Sequence, residues 1–372
     1  MTSPLEIRVR AGGGTRDYPV LLGPGLRHEI AALAARVAPC VRYWAVVSDE
    51  TVAPLHAEGV ATGLAQAGRR GDLVTFPPGE AEKTRDRWAA VTDTLLARGL
   101  GRDAGIVAVG GGVVGDLAGF VAATYMRGIP VLQIPTSLLA MIDASVGGKT
   151  AVDTPAGKNL VGAFHPPAAV VVDPEVIGTL PEVERRWGLA EAVKHGAILD
   201  EGYGEDTAVA ARALLDGEPG AILQVVRRSV ELKARVVSED ERETGLREIL
   251  NFGHTVGHAL EHASDFRIAH GAGVAMGMVW EASLGERMGV TEAGTAATIA
   301  GWLHALGLPT QPEPVDPVAF AAGLGVDKKA RDGTPRVVLL ARCGQVAPAP
   351  DGGWAHRVPS ELVEALAPWP VG

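Results

Sequence analysis

Hydrophobic residues in the first half of the chain fall into short runs that alternate with segments of helical period. The runs, rich in β-branched residues, predict strands at residues 43–48, 72–76, 105–109, 131–134 and 168–172. The segments between them predict helices at residues 54–67, 85–97, 113–125 and 137–143. Continuous apolar strands that alternate with helices are typical of a parallel sheet that helices cover on both faces.

The pattern changes near residue 180, after which strand signals become scarce. Helical periods predict helices at residues 187–198, 221–237, 249–262, 274–288 and 296–306, with one late strand at 337–340. We therefore expect two domains: an N-terminal Rossmann-like α/β domain of the dinucleotide-binding type at residues 1–179, and a mainly α-helical domain at residues 180–372. The cleft between two such domains is the expected ligand site.

Composition and charge exclude several classes of protein. Of the 372 residues, 47% are hydrophobic and 21% are charged, which favours a large packed core over disorder. The formal net charge of −10 argues against a nucleic-acid or anionic-membrane partner, because both attract basic surfaces. Cys40 and Cys343 lie far apart in sequence, which excludes a disulfide scaffold and suits a reducing cytoplasm. Without a signal-peptide core or a long uncharged apolar run, we expect a cytoplasmic protein.

A glycine run offers a site for a dinucleotide. Residues 110–116, GGGVVGD, match G-x-G-x-x-G between a predicted strand and a predicted helix. Bare glycines let the backbone approach a pyrophosphate, and the helix N-terminus presents unpaired N–H groups. Asp49 ends an earlier predicted strand and could accept a ribose hydroxyl. Two simpler interpretations stay open: the glycines only pack a helix on a strand, and Asp49 only caps the next helix.

Basic residues flanked by glycines indicate an anion site. Arg127 stands in YMRG, Lys149 follows DASVGG, and Lys158 and Asn159 follow a further glycine. Such side chains reach a phosphate without steric hindrance. The alternative is that they are solvated loop residues.

The predicted helices of the second half carry further candidate groups. Glu191 and Lys194 stand at i,i+3 and share a helix face, where they could bind a metal or an anion or could form a surface ion pair. His254, His258 and His262 follow at i,i+4 steps, a spacing that permits a metal triad. The segment lacks the H-E-x-x-H pattern, so a zinc protease is not supported. Each histidine could also be a polar residue with ordinary hydrogen-bond partners.

Four long motifs together resemble one known family. They are GGGVVGDLAGFVAATYMRG, PTSLLAMIDASVGGKTAVDTPAGKNLVGAFHPP, GLAEAVKHGAI and LNFGHTVGHALE. With PPGEAEKT at residues 77–84, they resemble the 3-dehydroquinate synthase family of the sugar phosphate cyclases over about three quarters of the chain.

The resemblance implies an activity and two cofactors. Members of this family convert the seven-carbon sugar acid phosphate DAHP into 3-dehydroquinate and phosphate, the second step of the shikimate pathway. The reaction oxidises a ring hydroxyl with NAD, eliminates phosphate, returns the hydride, opens the ring and closes a carbocycle by an aldol step. NAD is recycled within the site, and a divalent metal, zinc or cobalt, polarises the hydroxyl.

The resemblance also assigns residues of this chain. The metal ligands fall on Glu191, His254 and His270 in the second domain, which moves His258 to the substrate side and leaves His262 on the helix surface. The predicted catalytic and substrate contacts are Arg127, Asp143, Lys149, Asn159, Lys194, Lys233, Arg247, Asn251, His258 and Lys328. The predicted NAD contacts are Asp49, Glu80, Lys83, Gly111, Gly112, Val113, Asp116, Thr136, Ser137, Lys158, Thr179, Leu180 and Glu184.

Within these sets, Lys233 and Arg247 are expected to hold the substrate carboxylate, and a homodimer is implied, with Arg127 supplied to the neighbouring subunit. Whether Lys328 or Lys329 faces the substrate is open. Four alternatives remain: an amino-dehydroquinate synthase, another sugar phosphate cyclase, a metal-dependent alcohol dehydrogenase and a non-catalytic nucleotide-binding module.

Overall fold

The computed structural model describes residues 4–11, 16–155, 157–311, 315–326 and 335–359. The chain divides into two compact units. The first contains the chain up to Pro181 together with Ile222–Glu241, and the second contains Glu182–Ala221 and the chain from Arg242 onward. No described helix combines the length and the apolar character that crossing a membrane requires.

A seven-stranded sheet forms the centre of the first unit, in the order β1-β2-β9-β6-β5-β3-β4. In this order every pair of neighbouring strands after β1 is parallel, and β1 pairs with β2 as an antiparallel edge strand. A separate antiparallel hairpin is formed by β7 and β8. The strands are β1 Leu5–Val9, β2 Tyr18–Leu22, β3 Tyr43–Asp49, β4 Arg70–Phe76, β5 Ala104–Gly110, β6 Val131–Pro135, β7 Lys149–Thr154, β8 Gly157–Phe164 and β9 Ala169–Val172.

Helices cover both faces of this sheet. Leu33 and Leu64 pack with Trp44 and Val107 on one face, while Leu95 and Leu117 pack with other strand residues on the opposite face. The helices of this unit are α1 Ile30–Val37, α2 Glu58–Gln66, α3 Arg85–Ala97, α4 Gly112–Thr124 and α8 Pro219–Glu239, with short helical turns at Leu26–Glu29, Ala53–Ala57, Glu80–Glu82, Tyr125–Arg127, Ala140–Ala144 and Pro174–Thr179. The predicted Rossmann-like architecture is confirmed.

The second unit is mainly helical, as predicted. Its helices are α5 Glu182–Leu199, α6 Glu201–Val209, α7 Ala211–Asp216, α9 His254–Ala263, α10 His270–Arg287, α11 Thr295–Ala305 and α12 Pro317–Val326, with a helical turn at Leu246–Asn251. Short strands β10 Arg336–Val338 and β13 Ala355–Arg357 pair, as do β11 Leu340–Arg342 and β12 Gln345–Val346.

One predicted helix differs from the structure in a way that matters for the site. The helix expected at residues 249–262 is interrupted, because Gly253 adopts the left-handed conformation at φ 79°. The helical turn Leu246–Asn251 precedes the break, and α9 begins at His254. The interruption makes His254 the first residue of a helix instead of an interior residue.

Glycines bring α9 and α10 unusually close. A Cβ atom at Gly277 would lie 2.0 Å from the carbonyl oxygen of Gly253, and one at Gly257 would lie 2.9 Å from the carbonyl carbon of Gly273. Neither distance is possible for real atoms, so only glycine permits this approach. The contact therefore fixes how the N-termini of α9 and α10 are placed within this unit.

We predict that Gly277→Ala lowers the stability of the folded protein. The added methyl group meets backbone, which cannot move aside as a flexible side chain can, and overpacking of this kind costs about 1–3 kcal/mol. Gly301→Ala is the matched control: it lies in α11 with nothing within 4 Å of the new Cβ. The control should gain about 0.5–1 kcal/mol from helix propensity. Thermal and urea unfolding of both variants measure the difference, and equal stability would contradict the close contact.

Candidate active site

Three helices of the second unit bring one carboxylate and two imidazoles together. Glu191 lies on α5, His254 begins α9 and His270 begins α10. One ligand atom from each lies within 4.8 Å of the others. Nε2 of His254 and of His270 lie 3.4 and 3.6 Å from Oε1 of Glu191, whose side chain is fully buried.

Neighbouring acceptors fix which ring nitrogen of each histidine points into the cluster. Nδ1 of His254 lies 3.2 Å from the carbonyl oxygen of Phe252, and Nδ1 of His270 lies 2.9 Å from Oε1 of Glu261. Both partners are acceptors, so each Nδ1 donates and each Nε2 keeps its lone pair in the neutral ring. One carboxylate oxygen and two imidazole Nε2 atoms form a donor set that suits a catalytic divalent metal such as zinc. The residues present therefore fit the implied metal.

The two histidines differ in how their surroundings affect their charge. Burial lowers the pKa of His254 and outweighs the attraction of Glu191. Burial also acts against a proton on His270, but hydrogen bonds to Glu191 and Glu261 outweigh it and raise the pKa to about 10. A cation that binds here must displace that proton, so metal binding is coupled to proton release.

Lys194 contacts Glu191 directly, and both side chains are almost completely buried. The interpretation of Glu191 and Lys194 as a surface ion pair is therefore wrong. His258 is exposed, with its ring centroid 5.4 Å from that of His254. The ring of His262 packs against Phe266, and the groupings of possible metal ligands among the described residues do not include it.

Two further predicted substrate residues of this unit lie in the helical turn before α9. Arg247 is almost fully buried. The amide nitrogen Nδ2 of Asn251 donates to Oε1 of Glu243 at 2.9 Å and to the carbonyl oxygen of Glu248 at 3.1 Å. Glu243, which has a positive φ of 58°, thus holds the side chain of a predicted phosphate contact.

In the first unit, predicted cofactor and phosphate residues meet around Lys83. Nζ of Lys83 lies 2.6 Å from Oδ2 of Asp116 and 2.6 Å from Oδ1 of Asn159. Burial acts against the charge of Lys83, but the carboxylates of Asp116 and Glu80 outweigh it and raise its pKa. Asn159 has a φ of 55°, and its N–H donates to Oδ1 of Asp153 at 2.8 Å.

A second pair of predicted substrate residues also meets in this unit. Nζ of Lys233, on α8, lies 2.8 Å from Oδ1 of Asp143 and donates to the carbonyl oxygen of Asp143 at 2.6 Å. Lys233 is buried and Asp143 is half-buried. Residues that are 90 positions apart in sequence are thus joined, a contact that spacing alone could not reveal.

The glycine run lies between a strand and a helix, as the fingerprint requires, but it follows β5 and not the first strand of the sheet. Gly110 ends β5, α4 begins at Gly112, and a Cβ atom at Gly111 would lie 3.3 Å from Oγ of Ser137. The N–H of Thr136 donates to the carbonyl oxygen of Gly110 at 2.9 Å. The segment after β6 that carries Thr136 and Ser137 therefore lies directly beside the run.

Asp49 has a structural role in addition to any contact with ribose. Its Oδ1 accepts the N–H groups of Thr51 and Val52, both at 2.9 Å, which is the capping that the sequence left open. Thr179 likewise has a partner within the protein, because its hydroxyl lies 2.8 Å from Nε2 of His56.

The remaining predicted residues occupy exposed or terminal positions of their elements. Arg127 and Lys149 are exposed, and Nζ of Lys158 lies 3.9 Å from Oε1 of Glu80. Val113 lies in the first turn of α4, Leu180 follows the turn Pro174–Thr179, and Glu184 lies in the first turn of α5. Lys328 and its neighbour Lys329 fall outside the described residues.

Comparison with known proteins relates the whole arrangement to one family. Residues 73–186 match the family described as 3-dehydroquinate synthase N-terminal, and residues 188–330 match 3-dehydroquinate synthase C-terminal. A 3-dehydroquinate synthase of Symbiobacterium thermophilum is 46% identical over 340 residues, which cover 91% of this chain and 95% of that protein.

Two solved structures of related cyclases share the fold. A 2-deoxy-scyllo-inosose synthase complexed with carbaglucose-6-phosphate, NAD+ and Co2+ has a TM-score of 0.89 at 26% identity, covering 97% of this chain and 99% of that one. ValA, a 2-epi-5-epi-valiolone synthase of Streptomyces hygroscopicus with NAD+ and Zn2+ bound, has a TM-score of 0.82 at 28% identity, covering 94% and 95%. Both halves of the chain thus match this family, and the similarity to a relative extends over nearly the full length of that relative. The chain therefore belongs to the 3-dehydroquinate synthase family.

Proposed function

We propose that this chain is an enzyme that converts DAHP into 3-dehydroquinate and inorganic phosphate. Its membership of the family supports a phosphate-eliminating cyclase that acts on a sugar phosphate. The single structural observation that carries the proposal is the cluster of Glu191, His254 and His270, whose donor atoms suit a divalent metal. A cyclase of this kind needs such a group to activate the ring hydroxyl that is oxidised.

NAD and zinc or cobalt are the proposed cofactors. When bound, NAD+ accepts and returns a hydride, and the metal lowers the proton affinity of the substrate hydroxyl. The glycine run with Thr136 and Ser137 would hold the dinucleotide. The ion pair of Lys83 and Asp116 would line that site with polar groups. Glu191, His254 and His270 would hold the metal.

The side chains of the chain then position the substrate and its protons. Lys194 is held beside Glu191, where its ammonium group can donate to a ring hydroxyl without solvent competition. Asp143, oriented by Lys233, would accept from another hydroxyl. His258 is exposed beside His254 and can exchange a proton with the substrate side. Lys149, Asn159 and Asn251 are the proposed phosphate contacts.

Charge supports a substrate that carries a carboxylate. Arg247 and Lys233 are both buried cations, and a carboxylate forms strong charge-assisted hydrogen bonds with such groups. A cyclase for neutral sugar phosphates has no need of a partner for a carboxylate. The amino analogue of DAHP also carries one, so it is the second candidate substrate.

The proposed assembly is a homodimer located in the cytoplasm. Leu160, Val161 and Phe164 on β8 are exposed, and such apolar side chains on one strand are typical of a covered interface. Arg127 would reach the neighbouring subunit. Cys40 and Cys343 are free thiols, which supports a reducing compartment.

Product identification tests the function directly. The full chain is incubated with DAHP, NAD+ and zinc, and the products are identified by NMR while phosphate and NADH are measured. We expect 3-dehydroquinate and phosphate with no net NADH. Accumulation of NADH would indicate an alcohol dehydrogenase, and absence of any reaction would favour a nucleotide-binding module.

We predict that metal binding depends on His254 and not on His262. A chelator should abolish activity, and added zinc or cobalt should restore it. His254→Ala removes one of three ligands and should lose the metal, whereas His262→Ala changes an exposed residue on the same helix and should retain it. Metal content after dialysis gives the answer. Equal loss in both variants would instead favour the helical histidine stripe.

We also predict that Arg247→Ala and Lys233→Ala lower turnover of DAHP. Loss of a charge-assisted contact in a buried site costs roughly 1.5–3 kcal/mol, which is about tenfold to more than a hundredfold in rate. Arg212→Ala is the control, because the side chain of Arg212 is 90% exposed and forms a surface ion pair with Asp216. Steady-state kinetics are measured beside metal content, which should not change. Near-normal efficiency of both variants would reject the assignment of the carboxylate contacts.

A further inference from the structure

A second carboxylate, Glu281 on α10, is fully buried although it is neither a predicted metal ligand nor a predicted substrate contact. Trp280 and Leu284, its neighbours on the helix, belong to an apolar cluster. An ionised carboxylate in such surroundings requires hydrogen-bond donors. Oε2 of Glu281 accepts the N–H of Gly253 at 2.7 Å, and Oε1 accepts the N–H of Val256 at 3.3 Å.

These donors belong to the N-terminus of α9. Gly253 is the N-cap residue of α9 and has no side chain with which to accept a hydrogen bond. Glu281 supplies the missing acceptor from the neighbouring helix. His254, the next residue, is the proposed metal ligand.

One peptide group connects Glu281 to the ring of His254. The peptide between Phe252 and Gly253 donates its N–H to Glu281 and accepts the Nδ1–H of His254 at its carbonyl oxygen. A carboxylate that accepts the N–H makes the carbonyl oxygen of the same peptide more negative, because hydrogen bonds in a chain polarise one another. The ring is then held more firmly, with Nε2 directed towards Glu191.

We infer that Glu281 is a positioning residue that orients His254 for the metal through the peptide group between Phe252 and Gly253. The inference rests on the proposed function, in which His254 is a metal ligand. Groups behind metal-bound histidines fix the ring and raise its basicity. His270 has the same kind of support directly, from Glu261 on α9. Each of the two helices therefore carries one histidine and the carboxylate that supports the histidine of the other.

Glu286 provides a matched control on the same helix. Its Oε1 accepts the N–H groups of Gly294 and Ala296, at 3.0 and 2.9 Å, at the start of α11. Glu286 thus caps a neighbouring helix as Glu281 does, but α11 supplies no proposed metal ligand. The two positions separate capping of a helix from support of the metal site.

The test compares Glu281→Gln with Glu286→Gln in the full chain. Glutamine keeps the size of the side chain, but its NH2 group faces an N–H donor at one of the two positions. Zinc affinity is measured by competition with a chromophoric chelator, and the visible spectrum of the cobalt-loaded protein reports the ligand geometry. We expect Glu281→Gln to weaken zinc binding by about 10–100-fold and to shift the cobalt spectrum. Glu286→Gln should change neither.

Two further variants keep the outcomes distinguishable. Glu281→Asp retains the charge and both oxygens on a shorter side chain, so it should weaken zinc binding less than Glu281→Gln and serves as the test if the glutamine variant does not fold. Equal zinc affinity and cobalt spectra in the Glu281 and Glu286 variants would overturn the inference. Normal zinc binding by His254→Ala would instead remove the metal site of the proposed function.

Discussion

The packing of three helices in the second unit depends on the buried carboxylate of Glu191. An ionised carboxylate that is removed from water is stable only when cations or hydrogen-bond donors surround it. Lys194 reaches it from the next turn of the same helix, and the two histidines reach it from α9 and α10. Three helices must therefore converge on one side chain, and a metal that binds there meets ligands that are already held together.

This convergence explains the glycines between α9 and α10. Gly277 lets the backbone at Gly253 come so close that no Cβ atom fits between them. The left-handed conformation of Gly253 then ends the preceding helical turn and allows α9 to begin at His254. A glycine at the N-cap leaves backbone N–H groups of α9 without a local acceptor. The carboxylate of Glu281 accepts one of them, the N–H of Gly253. The close packing of α9 and α10 and the buried carboxylate of Glu281 thus both follow from the convergence of the helices on Glu191.

Hydrophobic periodicity predicts most of the helices and strands, but only those whose pattern lies in residues that are close in sequence. Helix α3 was predicted at both ends, because its period is regular and Thr84 caps it by accepting the N–H of Arg87. The break at Gly253 could not be predicted, since glycine within a helical period is usually tolerated. Strands β7 and β8 were also missed. Their polar residues, including Lys149 and Asn159, are typical of loops, and only the pairing of the two strands makes them a hairpin.

The geometry of an α-helix also explains why His262 is not grouped with His254 and His270 among the described residues. Each residue advances by about 100°, so seven residues bring Glu261 to within about 20° of His254, while eight carry His262 about 80° away. Glu261 consequently shares the face of α9 that meets His270, and its carboxylate takes the place that regular i,i+4 spacing would give to His262. His270 lies after a turn and on another helix, beyond the reach of any periodic rule. Its place beside His254 was indicated by resemblance to a family, and the structure gives the physical reason: two helix N-termini, held together by glycines, face the same buried acid.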